Sequence, residues 1–166
     1  MSKKSVIFIC SFNSARSPIA EGFLKNWNDG NDYSVFSAGI APTRVRPYAV
    51  AVMRELNIDI SGHIPASLYQ YRNEHFDYVI TLCDNAKAIA EDVLKDGDRF
   101  INHSFVSPQE IGNKQEIVLE EYRYLRDRIK EWMEEIFPKE SPTNANNIES
   151  PNENGLPVIL SSGAKH

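Results

Sequence analysis

The strongest constraint on how this chain can fold is the alternation of short apolar runs with helical patterns. Val6-Ile7-Phe8-Ile9 is continuous, β-branched and aromatic, as in a strand buried on both faces. Similar runs lie at 33–37 and 78–82, with a weaker one at 99–105. Ser17 as N-cap and Pro18 as first helical residue open a helix after the first run. Ile19, Phe23, Leu24 and Trp27 carry it, and Asp29-Gly30-Asn31-Asp32 ends it. Pro47 opens another, with Val50, Met53 and Leu56 on one face. A short helix falls within 66–76 and a further one at 85–94. A long one carries Val118, Tyr122, Leu125, Ile129, Trp132 or Met133, and Ile136 before Pro138 stops it. Strands alternating with helices give βαβ units and an α/β fold on a parallel sheet. Ligands of such sheets bind at the carboxyl ends of the strands.

At 166 residues, one domain with a tail is expected. The division falls at 1–138 and 139–166, because the chain beyond Pro138 turns Asn-, Ser- and Pro-rich. The tail's one apolar run, 156–160, has the length of a strand that docks. A net charge of −5 argues against a general nucleic-acid binder. No window approaches the ~18 apolar residues of a membrane span. Two cysteines are too few for a disulfide framework and suit a reducing compartment. A cytoplasmic monomer without nucleic-acid or membrane partners is the expectation.

Cys10 and Cys83 both fall at carboxyl ends of expected strands. Cys10-Ser11-Phe12-Asn13-Ser14-Ala15-Arg16 joins a strand to a helix. Backbone N–H groups in such a turn form a nest for an anion, and the helix N-terminus adds to it. Arg16 supplies a planar fork that matches a tetrahedral oxyanion. The same surroundings favour a Cys10 thiolate, and a hydrogen bond from Ser17 holds it ready. The loop lacks Gly-Lys-Ser/Thr and is not a nucleotide-binding loop.

The stretch ICSFNSARSPIAEGF resembles the signature of the low-molecular-weight protein tyrosine phosphatase family, and within it the thioredoxin-coupled arsenate reductases. Ser37-Ala38-Gly39-Ile40, Ile58-Asp59-Ile60-Ser61-Gly62-His63, Val79-Ile80-Thr81-Leu82-Cys83 and Arg126-Asp127-Arg128-Ile129-Lys130 follow in family order. The resemblance covers about residues 4–137. It implies a four-stranded parallel sheet flanked by helices. It implies Cys10 as nucleophile, Arg16 as oxyanion clamp, Ser17 as thiolate stabiliser and Cys83 as second thiol. It also implies that Ser11, Phe12, Asn13, Ser14, Ala15 and Arg16 bind arsenate or a phosphate ester.

Three positions depart from the family. Its general acid, an Asp before Pro, is replaced by Ser107 before Pro108, and losing such an acid costs ~10²–10⁴-fold. Asp84 and Glu110 are carboxylates nearby in sequence. The family's third cysteine is Ala90, so an external thiol from thioredoxin or glutathione/glutaredoxin must complete any redox cycle. Of the positions that hold potassium in some relatives, Asn13, Glu21 and Ser37 match and the fourth is Ala66. No tightly bound cofactor and no metal ligand set is expected beyond that ion.

Three functions compete: an arsenate reductase using Cys10 and Cys83, a phosphatase acting through a phosphocysteine, and an oxyanion-binding or redox-sensing protein without turnover. The histidines show no zinc spacing. His63 is expected to be a hydrogen-bonded structural residue. Arg44 and Arg46 are expected on solvated surface, Tyr69 and Tyr71 in packing, Arg126 on the exposed face of the last helix, and Trp132 in the core.

Overall fold

The computed structural model describes residues 3–28 and 32–138. The tail at 139–166, with its run at 156–160, lies outside the described residues. Four parallel strands, β1 (Lys4–Cys10), β2 (Tyr33–Gly39), β3 (Tyr78–Thr81) and β4 (Arg99–Asn102), form one sheet in the order β2-β1-β3-β4. The helices are α1 (Arg16–Trp27), α2 (Pro47–Arg54), α3 (Asp84–Val93) and α4 (Gln115–Ile136). The α/β class and the four-stranded parallel sheet are as the sequence implies.

Val6, Ile7, Phe8 and Ile9 are each fully buried, as a central strand covered on both faces requires. α1 packs on β1 and β2 and touches α4, which also carries α2. α3 packs on β3, β1 and β4. The chain leaves β1 toward β2 on one side and β3 continues on the other. The carboxyl ends of β1 and β3 therefore flank the point where strand order reverses, the usual ligand crevice of such sheets.

Several local expectations are corrected. Ser17 is not the N-cap: α1 begins at Arg16 with Ala15 capping, and no side chain caps it. Pro18 sits third in the helix, where its missing N–H still costs no bond. The buried face of α2 is Ala49, Val52 and Met53; Leu56 lies past the helix end and is exposed. The short helix shrinks to one 3₁₀ turn, Leu68–Tyr71. Tyr71 packs on Phe36 and Phe76, whereas Tyr69 is exposed. β4 ends at Asn102, so Phe105 lies beyond it. Arg126 is buried, donating to the Val52 carbonyl at 2.8 Å and to Glu55 at 2.7 Å. Met133 takes the core position. Trp132 is half-buried and stacks on His103 at 5.0 Å.

Candidate active site

The turn from β1 to α1 is shaped by its carbonyls. Ser11 O accepts from Ala41 N at 2.9 Å, Phe12 O from Thr43 N at 2.8 Å and Ser14 O from Arg46 N at 2.8 Å. Each peptide is trans, so its carbonyl and the next N–H point in opposite directions. Turning three carbonyls outward to residues 41–46 turns the N–H groups of Phe12, Asn13 and Ala15 inward. That is the nest expected for an anion. Asn13 makes the bend at φ 51°, a left-handed conformation that asparagine tolerates. Phe12 is half exposed at the rim, Ser11 and Ser14 are half-buried, and Ala15 packs inward.

The floor of the loop is a directed hydrogen-bond relay. Asn13 Oδ1 faces Ala66 N at 3.0 Å. A backbone N–H can only donate, so the amide orientation is fixed. Asn13 Nδ2 must then donate to Ser17 Oγ at 2.9 Å and to Ser37 Oγ at 3.0 Å. Ser17's own proton is left for Cys10 Sγ, 2.9 Å away. Ser37's proton goes to the Glu21 carboxylate, which Lys25 pairs at 2.7 Å. Asn13, Ser17 and Ser37 are all buried. The relay therefore aims the Ser17 hydroxyl at Cys10 Sγ.

His63 supports the same amide as the structural residue expected of it. Its Nε2 donates to Asn13 Oδ1 at 2.9 Å, and its Nδ1 lies 3.7 Å from Glu21. Burial holds its pKa below the ordinary 6.5, against the opposing pull of Glu21. A histidine depressed by folding binds its proton less readily in the native state. Its contribution to stability is complete above about pH 6.5 and is lost as pH falls below it. His63→Gln should flatten the fall in urea midpoint between about pH 7 and 5.5. An unchanged slope in the variant would assign the acid sensitivity elsewhere.

Arg16 opens α1 and stretches across the mouth, Nη1 donating to Phe105 O at 3.0 Å. Cys83 caps the start of α3 in an extended conformation, beside Ser11 at 3.4 Å. Both cysteines are free and buried. Ile9 pairs Thr81 in register, so Cys10 lies level with Leu82 and Cys83 level with Ser11. The structure thus brings Cys10, Asn13, Arg16 and Ser17 together and sets Cys83 one step away.

The two carboxylates weighed as substitutes for an acid at Ser107 are both held by hydrogen-bond donors. Glu110 is held by Arg46 and by Tyr122 Oη at 2.7 Å, and these bonds push its pKa down. Asp84 takes Ser104 and Asn102 as donors, which lower its pKa likewise. Both are committed carboxylates at neutral pH, and Ser107 is exposed. Arg46 is therefore not plain solvated surface: its backbone closes the loop at Ser14 and its side chain anchors Glu110. Sequence reading missed that brace because its partner is 64 residues away.

The family model for low molecular weight phosphotyrosine protein phosphatase matches residues 5–141. A glutaredoxin arsenate reductase of Synechocystis sp. is 31% identical over 136 residues, covering 82% of this chain and 98% of its own. An arsenate reductase of Halalkalibacterium halodurans is 34% identical over 129 residues, covering 78% and 91%. A solved arsenate reductase in its oxidized state superposes with a TM-score of 0.66 at 32% identity, over 80% of this chain and 95% of its own. Among the described residues, no helix is long and apolar enough to cross a membrane. With its cysteine-bearing anion loop at the strand switch point, this chain belongs to the low molecular weight phosphotyrosine protein phosphatase family of enzymes.

Proposed function

We propose that this chain reduces arsenate to arsenite with Cys10 as nucleophile. The observation that carries the reading is the second free thiol, Cys83, at the carboxyl end of the strand beside the nucleophile's own. A phosphatase has no use for it, and a phosphatase needs the proton donor that Ser107, Asp84 and Glu110 do not supply. The relatives named arsenate reductase support the same choice.

The inward N–H groups and Arg16 hold the oxyanion with its charge on the helix N-terminus. The Cys10 thiolate attacks arsenic, an S–As bond forms, and one arsenate oxygen leaves as water after taking a proton from solvent. A second thiolate then attacks Cys10 Sγ. The S–S bond forms, the S–As bond breaks, and its electron pair stays on arsenic as arsenite leaves. Arsenic has gained two electrons and two thiols have become a disulfide. An external dithiol, of the thioredoxin or glutaredoxin class, reduces that disulfide.

The second thiol is Cys83 or comes from outside. Attack by Cys83 on Cys10 requires the two thiols to approach, since in the resting fold they are not bonded and contact different serines, Ser17 and Ser11. The potassium ion of some relatives does not fit this chain. Asn13 presents its NH₂ to Ser37, its oxygen already accepts two donors, and Ala66 has no side-chain oxygen. A cation of this kind requires converging oxygens.

The test is arsenite formation from arsenate with thioredoxin, or with glutathione and glutaredoxin, alongside hydrolysis of an aryl phosphate. Cys83→Ser should stop turnover with thioredoxin. Turnover that survives in Cys83→Ser with glutathione assigns the second thiol to the solvent. Cys10-dependent phosphate release without arsenite would overturn the reductase reading.

A further inference from the structure

A groove of about 850 Å³ lies beside the anion loop, between residues 103–109 and the N-terminal half of α4. Phe105, Val106 and Pro108 line one wall and Ile117, Tyr124 and Leu125 the other. Val106 is 89% and Tyr124 68% exposed. Clustered apolar side chains left in water mark a contact surface. Glu116, Glu120 and Glu121 line it with one arginine, Arg128, and Glu120 is paired by Arg123 at 2.5 Å. The remaining negative excess disfavours an anionic occupant such as glutathione.

We propose that Leu156-Pro157-Val158-Ile159-Leu160, from the chain beyond the described residues, seats in this groove. These five are the only consecutive apolar side chains after Pro138. Residues 154–166 carry no acidic side chain and end in Lys165-His166, which suits an acidic rim. Where the tail departs also fits. The described chain stops just past α4, whose first half is the groove wall. Returning from Ile136 to Ile117 covers roughly 29 Å of helix. The 17 residues of 139–155 span up to about 56 Å. A contact within one chain needs no second molecule, which favours even a weak one. The proposal concerns binding and does not depend on whether the substrate is arsenate.

A photo-crosslinking side chain at Tyr124 of the full chain tests it, with isotopically light and heavy protein mixed. The expected product is a crosslink within one chain that maps to residues 154–162. Val158→Asp with Ile159→Asp should cut its yield about tenfold or more, because two carboxylates must then enter an apolar groove. The same pair should speed hydrogen exchange at residues 103–109 and 116–128. A crosslink joining light to heavy chains would overturn the proposal in favour of a second copy. A crosslink elsewhere, or exchange unchanged by the two substitutions, would overturn it and leave the groove to a separate partner.

Discussion

Cys10→Ser is expected to lower arsenite production by about 10⁴-fold or more, the scale of removing a covalent nucleophile. A serine hydroxyl stays protonated at neutral pH, and nothing in the relay can take that proton. Ser17 already accepts from Asn13 and offers only its own proton, and the nearest carboxylate, Glu21, lies beyond Ser37 and accepts from it. The alcohol therefore attacks arsenic poorly. It also cannot form the disulfide that carries two electrons away, so even a formed adduct would not become arsenite. The fold should be untouched. Cys10 is 1% exposed, serine is smaller, and its hydroxyl can keep the bond to Ser17. Oxyanion binding should survive as well, since the inward N–H groups and Arg16 remain. The measurement pairs arsenite formation with calorimetric binding of phosphate or arsenate. Turnover within about tenfold of the parent would mean that Cys10 forms no adduct. Lost turnover together with lost anion binding would mean that the thiol shapes the loop rather than attacks.

The sequence disclosed the sheet and the loop because both rest on local signals. Val6-Ile7-Phe8-Ile9 has no polar position, so it can only be a central strand. A cysteine at its end, Arg16 six residues later and a Ser-Pro helix start point to an anion loop, and the resemblance to the phosphatase family implies the same. What stayed hidden depends on distant partners. Ser17 reads as a cap because serine before proline usually caps. Its bond to Cys10 is as expected, but the Asn13 amide that orients it was not visible, and the helix starts two residues earlier than the serine–proline pair indicates. Arg46 and Arg126 read as surface because arginine usually is. Each is instead held by a carboxylate or carbonyl far along the chain. The loss of the general acid was legible at Ser107. The donors that hold Asp84 and Glu110 as carboxylates were not, since they come from Ser104 and Asn102 and from Arg46 and Tyr122.

Gly39→Ala is expected to damage stability and catalysis together. A Cβ at Gly39 would stand 2.7 Å from Asn13 N, 2.9 Å from Asn13 Cβ and 2.9 Å from Phe12 C. These are atoms of the loop backbone or fixed to it, so no side chain can swing away. The backbone has little freedom to retreat. Ser11, Phe12 and Ser14 are tied to residues 41–46 through their carbonyls, and the Asn13 amide is held by four partners. Gly39 is equally fixed, paired with Cys10 in the sheet and donating to Ala66 O at 2.9 Å. Overpacking at such a contact costs about 1–3 kcal/mol. The relief must come from moving the Phe12–Asn13 peptide, whose N–H points into the anion nest and whose side chain orients Ser17. A displacement near 1 Å in positioning groups lowers kcat/KM by roughly 10²-fold. Gly62→Ala is the control: nothing lies within 4 Å of its added methyl, so stability should stay within about 0.5 kcal/mol. Urea unfolding and arsenite kinetics on both variants decide the matter. If Gly39→Ala behaves like Gly62→Ala, the loop is softer than its hydrogen bonds imply, and the rigid relay proposed to hold the Cys10 thiolate loses its foundation.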